Sequence, residues 1–171
     1  MKAQRSLRAR ALQWLAQREQ SRSELRRKLL PHAVAEAEAA TEAGAPPAEL
    51  APAAERVEAL LDWLEAHNHL SQERFAESRV HARSARFGNL RIRQELKQHQ
   101  VTLSAEAVQA LKDSELQRAR AVLERRFAAP PASPAERAKR MRFLAGRGFS
   151  SEVIARALRG DVAEQHATFG R

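Results

Sequence analysis

The chain has 171 residues, a net charge of +9 and no cysteine, and its basic side chains are mostly arginine. The missing cysteines exclude disulfides and thiol chemistry, and no apolar run approaches the length of a membrane span. Residues that favour helices dominate, and no long stretch alternates with the period of a strand. We therefore expect an all-α, cytoplasmic protein whose excess positive charge favours a polyanionic partner, or a protein already bound to one.

The residue pattern predicts nine helices, several of which begin at a serine that can cap the first turn. Ser21 and Ser114 are each followed three residues later by Glu or Gln, and Ser133 is followed by proline and then by Glu136. Gly88 follows the fourth predicted helix and is interpreted as its left-handed end. In chain order the predicted helices are residues 6–18, 21–30, 53–67, 71–87, 89–98, 104–112, 114–127, 133–147 and 151–159.

An Ala- and Glu-rich segment at residues 33–52 interrupts this pattern and contains Gly44, Pro46, Pro47 and Pro52. Such low-complexity sequence is typical of a flexible insert, and Pro31 is expected to end the second helix before it. Residues 31–70 are also strongly acidic, with eight acidic side chains and one basic side chain. This acidic block argues against a surface that is coated uniformly by nucleic acid.

One helix-entry pattern occurs three times along the chain. Aligned on Leu25, Ile92 and Ile154, which lie 67 and 62 residues apart, each copy has Ser or Gly four residues before and Leu four residues after. The pattern predicts three tandem three-helix repeats, each too small to bury its apolar face alone. We expect an elongated, curved array, right- or left-handed, made of repeat 1 at 1–67 with the flexible insert at 33–52, repeat 2 at 68–112, repeat 3 at 113–160 and a C-terminal tail at 161–171.

Two blocks of sequence resemble a known family. The first is Arg74-Phe75-Ala76, Arg83, Arg86-Phe87-Gly88 and Ile92-Arg93-Gln94-Glu95-Leu96, and the second is Arg142-Phe143-Leu144-Ala145-Gly146-Arg147-Gly148-Phe149-Ser150. They resemble the central and C-terminal repeats of the RecX family, and residues 18–29 resemble its first repeat. The resemblance implies a non-enzymatic regulator of the RecA recombinase that lies in the groove of RecA filaments on DNA and usually inhibits them. It connects the chain with DNA repair, DNA recombination and the SOS response.

Basic residues around the central repeat are the best candidates for contact with a partner. Arg79, Arg83 and Arg86 recur at helical spacing and form one stripe, and Arg93 and Lys97 lie one turn apart on the next helix. Arg91 belongs to the same group, although a local ion pair with Glu95 is the alternative interpretation. The secondary basic clusters are Arg22, Arg26, Arg27, Lys28, Arg140, Arg142 and Arg147.

We expect these cations to bind the RecA filament on single-stranded DNA, with direct DNA contact left open. The alternative is a stand-alone nucleic-acid-binding helical repeat without a recombinase partner, and the acidic block favours the protein partner. We expect a monomer without cofactor, metal or catalytic residues. His67, His69 and His81 lack the spacing of metal ligands, and no nucleophile or phosphate-loop motif occurs.

Overall fold

The computed structural model describes residues 5–44, 51–127 and 129–168, with side chains as far as Arg159. Over these residues the regular structure consists of eight α-helices and no strand, which confirms the all-α prediction. In chain order they are α1 (Leu7–Gln17), α2 (Arg22–Glu42), α3 (Ala53–Ala66), α4 (Gln72–Ser84), α5 (Asn89–Gln98), α6 (Ala105–Arg126), α7 (Pro134–Gly146) and α8 (Ser151–Thr168).

Serine side chains begin most of the helices, as predicted. Ser21, Ser104 and Ser133 each accept a hydrogen bond from the backbone amide three residues later, at 3.1, 3.2 and 3.2 Å. At Ser133 the carboxylate of Glu136 also accepts from the Ala132 amide at 2.8 Å. These bonds satisfy donors that a helix N-terminus otherwise leaves without a partner, so the caps fix where α2, α6 and α7 start.

The predicted break at Ser114 is wrong, because α6 runs without interruption from Ala105 to Arg126. The Ser114 hydroxyl donates to the Ala110 carbonyl at 2.8 Å, one turn back in the same helix, instead of capping a new one. Leu111, Ala119 and Val122 are buried on one face of α6 across the predicted break. This continuous apolar face outweighs the local capping preference, and the sixth and seventh predicted helices are one.

The predicted end of the second helix before Pro31 is also wrong. α2 continues through Pro31 to Glu42, so residues 33–42 are helical and not part of a flexible insert; residues 45–50 of that segment lie outside the described residues. A proline inside a helix costs roughly 3 kcal/mol. Packing against α3 offsets this cost, because Ala33 is fully buried and the Arg56 guanidinium lies 2.7 Å from the Glu36 carboxylate.

The last helix is longer than predicted. α8 extends to Thr168, so residues 161–168 of the predicted tail are helical, and residues 169–171 lie outside the described part of the chain. The prediction ended the helix where the apolar period ends, near Arg159.

The chain folds as two compact units. Unit 1 comprises Met1–Ala76 with His99–Val101, and unit 2 comprises Glu77–Gln98 with Thr102–Arg171. The core of unit 1 contains Leu25, Leu29, Val57, Leu61 and Leu64 of α2 and α3. The core of unit 2 is built mainly by α6, α7 and α8 around Leu123, Leu144, Phe149, Ile154 and Leu158. The predicted basic stripe lies in unit 2, and the acidic block lies in unit 1.

Candidate nucleic-acid and protein interface

The turn between α4 and α5 is held by the backbone of the turn between α7 and α8. The Gly88 amide donates to the Arg147 carbonyl and the Leu90 amide donates to the Gly148 carbonyl, both at 3.0 Å. A side chain on Gly88 would place its Cβ 2.3 Å from the Gly148 oxygen, so glycine is needed here for close approach. The predicted left-handed conformation at Gly88 is wrong; the positive φ of 80° belongs to Gly148.

A buried polar network fixes the start of α5 against α6. The Glu115 carboxylate accepts from the backbone amide and from the side-chain amide of Asn89, both at 2.9 Å. Arg118 donates to the Phe87 carbonyl at 2.8 Å, to the Leu111 carbonyl at 3.0 Å and to Asn89 Oδ1. A carboxylate at a helix N-terminus is favourable for the helix dipole. Burial lowers the pKa of Arg118, and the nearby Glu115 charge opposes that effect.

Glu95 of α5 organises the first part of the predicted stripe. Its carboxylate lies 3.0 Å from the Arg83 guanidinium and 3.4 Å from that of Arg79. The predicted alternative pair between Arg91 and Glu95 is replaced by these two contacts, which join residues of different helices. Two arginines around one partly buried carboxylate leave a net positive charge, so the pairing positions the stripe without neutralising it.

The Phe87 ring gathers a second group of arginines. The guanidinium carbons of Arg91, Arg83 and Arg147 lie 4.9, 5.6 and 5.9 Å from the ring centroid. Arg91 also donates to the Gly146 carbonyl at 3.5 Å, a long and weak contact. Cations at these distances are attracted to the face of an aromatic ring. The ring of Phe87 therefore holds like charges close together.

Arg93 and Lys97 lie on the other flank of the buried face of α5 and are exposed. Ile92 and Leu96, each next to one of these cations in the sequence, are about 1% exposed and fix the orientation of the helix. No described carboxylate forms an ion pair with either cation. These two side chains are thus accessible, as are Arg86 and Arg91 of the predicted set.

Arg86 is exposed and lies with three further arginines at a cavity of about 200 Å³. The cavity is lined by Ala85, Arg86, Val122, Arg125, Arg126, Phe143 and Arg147. Arg147 was placed in a secondary cluster by the sequence, and Arg125 and Arg126 were missed. Their sequence signal was weak, because a pair of arginines at the end of a helix is also typical of favourable interaction with the helix dipole.

Comparison with known proteins gives a consistent result along the chain. Residues 71–104 match the second three-helix domain of RecX and residues 113–158 match the third. The regulatory protein RecX of Ralstonia nicotianae is 50% identical over 157 residues, covering 91% of this chain and 87% of the relative. The chain belongs to the RecX family. The regulatory protein RecX of Herbaspirillum seropedicae is 47% identical, covering 89% of this chain and 88% of the relative. That of Neisseria gonorrhoeae is 36% identical, covering 93% of each.

The secondary basic cluster on α2 is partly neutralised within this RecX chain. Arg22 binds the carboxylates of Glu58, Asp62 and Glu65 at 2.6–2.8 Å, and Arg26 binds Glu58. Hydrogen bonds from Arg26 and then Arg22 lower the pKa of Glu58 to about 2. Burial lowers the pKa of Arg22, but its hydrogen bonds to Glu58 and Asp62 outweigh that effect and raise it.

The remaining members of the secondary clusters are divided between structure and surface. Lys28 donates to Gln20 Oε1 at 2.7 Å and lies 3.2 Å from the Glu24 carboxylate, and Arg140 is 6% exposed and donates to the Ala129 carbonyl. Arg27 and Arg142 are exposed. The secondary basic residues of α2 and α7 therefore differ in environment: some form ion pairs, Arg140 is buried, and Arg27 and Arg142 are exposed.

The histidines of unit 1 pack on an aromatic ring. His67 and His69 stack on the Trp63 ring, with centroids 4.1 and 5.5 Å away. No group of three His, Cys, Asp or Glu side chains among the described residues could hold a metal ion. Within the same part of the chain, no helix is long and apolar enough to cross a membrane.

Proposed function

We propose that this chain binds RecA filaments on single-stranded DNA and lowers recombinase activity, as a monomer in the cytoplasm and without catalysis of its own. The observation that carries the proposal is the arrangement of arginines in unit 2. Glu95 and Phe87 hold Arg79, Arg83 and Arg91 close together, and Arg93 and Lys97 add exposed charge. Membership of the RecX family, whose members are named regulatory proteins, supports the same function.

A filament is a better partner for this surface than DNA alone. The filament offers acidic protein side chains as well as phosphates, and complementary charge raises association rates and sets orientation. In unit 1 the carboxylates of Glu58, Asp62 and Glu65 outnumber Arg22 and Arg26, which bind them, so this patch keeps a net negative charge that disfavours contact with phosphates. A protein partner carries both acidic and basic side chains, so it can complement positive and negative patches of the chain.

The test is co-sedimentation of the full chain with RecA assembled on single-stranded DNA with a nucleotide. We expect the wild-type chain to sediment with the filament and to slow RecA-catalysed strand exchange. The variant Arg93→Ala/Lys97→Ala should bind more weakly by about 0.4–2 kcal/mol, since each of the two exposed charges contributes roughly 0.2–1 kcal/mol. It leaves the Glu95 and Phe87 contacts intact, so its fold should not change.

The control variant is Arg120→Ala/Lys139→Ala, which removes the same charge from α6 and α7. It should bind the filament like the wild type at equal salt concentration. Equal losses in both variants would show that net charge, and not the α5 surface, determines binding. If no binding to RecA filaments is detected while bare DNA is bound, the function is that of a stand-alone nucleic-acid-binding repeat, which the surplus of arginines in unit 2 also favours.

A further inference from the structure

Four arginine side chains of unit 2 meet at one cavity. Arg86, Arg125, Arg126 and Arg147 all line one cavity of about 200 Å³, whose wall includes the Phe143 ring. None of these four guanidinium groups forms an ion pair with a carboxylate of the described residues. By contrast, Arg22 in unit 1 binds three carboxylates. Arg86, Arg125 and Arg126 are exposed, so solvent screens their mutual repulsion and the group stays accessible to an anionic ligand.

Two of the four arginines are held in place by backbone carbonyls. Arg147 donates to the Arg86 carbonyl at 3.1 Å, and its guanidinium carbon lies 4.7 Å from the centroid of the Phe143 ring. Arg125 donates to the Ala121 carbonyl at 3.1 Å and to the Ala85 carbonyl. A guanidinium has five N–H donors, so each keeps donors for a ligand after these contacts. Both groups are therefore oriented before a ligand arrives, which reduces the entropy lost on binding.

We propose that this cavity binds the phosphodiester backbone of single-stranded DNA. Planar guanidinium forks match the oxygens of a phosphate, and four arginines at one cavity can contact successive phosphodiesters, each of which carries one negative charge. The apolar wall formed by Phe143 and Val122 suits a sugar placed beside the phosphate. The proposal deepens the proposed function, because it assigns to the chain its own contact with the DNA of the filament.

The test measures binding of labelled oligothymidylate by fluorescence anisotropy across a salt series, with no RecA present. The cavity variant is Arg86→Ala/Arg126→Ala, because these two side chains make no hydrogen bond that holds the turn. We expect its affinity to fall about tenfold or more, since hydrogen bonds to charged groups are strong. The slope of log K against log salt should become shallower by about 1.4, or roughly 0.7 for each phosphate that the variant no longer neutralises.

The control variant is Arg120→Ala/Lys139→Ala, which removes the same charge from unit 2 at residues that do not line the cavity and should reduce the affinity for DNA clearly less. A second measurement follows the side-chain Nε–H signals of Arg125 and Arg147 by NMR during titration of the wild-type chain with oligothymidylate. Both signals should shift with the same dissociation constant as the anisotropy. The signals report on the cavity directly, so the test does not depend on the variant retaining its fold.

Three results would overturn the proposal. Equal loss of affinity in the two double variants would show that overall charge, and not the cavity, determines the affinity for DNA. Unchanged Nε–H signals would place the DNA elsewhere on the chain. Wild-type affinity of the cavity variant for bare DNA, combined with weaker binding to RecA filaments, would assign the cavity to acidic protein side chains. Because the oligothymidylate assay contains no RecA, its failure is separate from a failure of filament binding.

Discussion

Replacing Arg118 with Met removes the cation that holds the α4–α5 turn against α6. Arg118 donates to the carbonyls of Phe87 and Leu111 at 2.8 and 3.0 Å, and to Asn89 Oδ1. Methionine keeps a long apolar stem and a high helix propensity but offers no donor. The variant therefore removes the hydrogen bonds while it keeps most of the packing of the side chain.

The expected loss in stability follows from these bonds. A hydrogen bond to a charged group contributes roughly 1.5–3 kcal/mol, so the two bonds to the Phe87 and Leu111 carbonyls alone give about 3–6 kcal/mol. Burial lowers the pKa of Arg118, which shows that the buried cation itself has a cost that the variant recovers in part. Glu115 is 5% exposed and loses the nearby positive charge of Arg118. We expect a net loss of about 3 kcal/mol in the local stability of unit 2.

Amide hydrogen exchange measures this loss at the turn itself. The amides of Gly88 and Leu90 donate to carbonyls of the α7–α8 turn and should be protected in the wild type. A loss of about 3 kcal/mol should speed their exchange about a hundredfold. Arg120→Met on the same helix is the control and should change exchange little. Exchange in the Arg118→Met variant within threefold of the control would refute the structural role assigned to Arg118.

Two further predictions concern the turn glycines and acid stability. Gly88→Ala should destabilise unit 2 by about 3 kcal/mol, because the added Cβ would overlap backbone atoms. Gly146→Ala is the control: nothing lies within 4 Å of the added Cβ, so this variant should be neutral or slightly stabilising. Urea unfolding monitored by hydrogen exchange measures both effects. Burial raises the pKa of Glu24, but hydrogen bonds from Arg18 and Lys28 outweigh it and lower the pKa from 4.5 to about 2. Because the pKa of Glu24 is lower in the folded than in the unfolded chain, its ionised carboxylate stabilises the fold above about pH 5. This contribution of about 3 kcal/mol should be lost as the pH falls towards 2. Tryptophan fluorescence reports on unit 1, which contains Trp14 and Trp63, and the Glu24→Gln variant should flatten this pH dependence, while Glu152→Gln in unit 2 should not.

The sequence was informative wherever a structural signal is local. Serine caps at Ser21, Ser104 and Ser133 were predicted because the residues that make the hydrogen bonds lie within one turn of each other. The same local reading failed at Ser114 and Pro31, where burial of Leu111, Val122 and Ala33 against other helices decides the outcome. Local preferences of about 1–3 kcal/mol are readily outweighed by burial of several apolar side chains.

The partners of charged residues were harder to predict than the charged residues themselves. Arg79, Arg83 and Arg86 were recognised as one stripe from their spacing, yet Glu95 pairs with Arg79 and Arg83 across two helices, while Arg86 joins Arg125 and Arg126 of α6 at the cavity. These groupings depend on which helices pack together. Glu115 and Arg118 did leave a signal, since polar residues on the apolar face of α6 are usually satisfied by a buried partner.

The positions of the carboxylates determine how each basic cluster can act. The first thirty residues carry a large excess of positive charge, but Arg22 and Arg26 are bound by acidic residues of α3, and their hydrogen bonds lower the pKa of Glu58 to about 2. In unit 2 a single carboxylate, that of Glu95, serves two arginines, and the cavity at Arg86 has no carboxylate partner among the described residues. Arg22 and Arg26 thus stabilise the fold of unit 1, while the arginines at the cavity of unit 2 remain available to an anion. Under the proposed function, we therefore expect an anionic partner to contact unit 2, where the arginines of the cavity lack opposite charges.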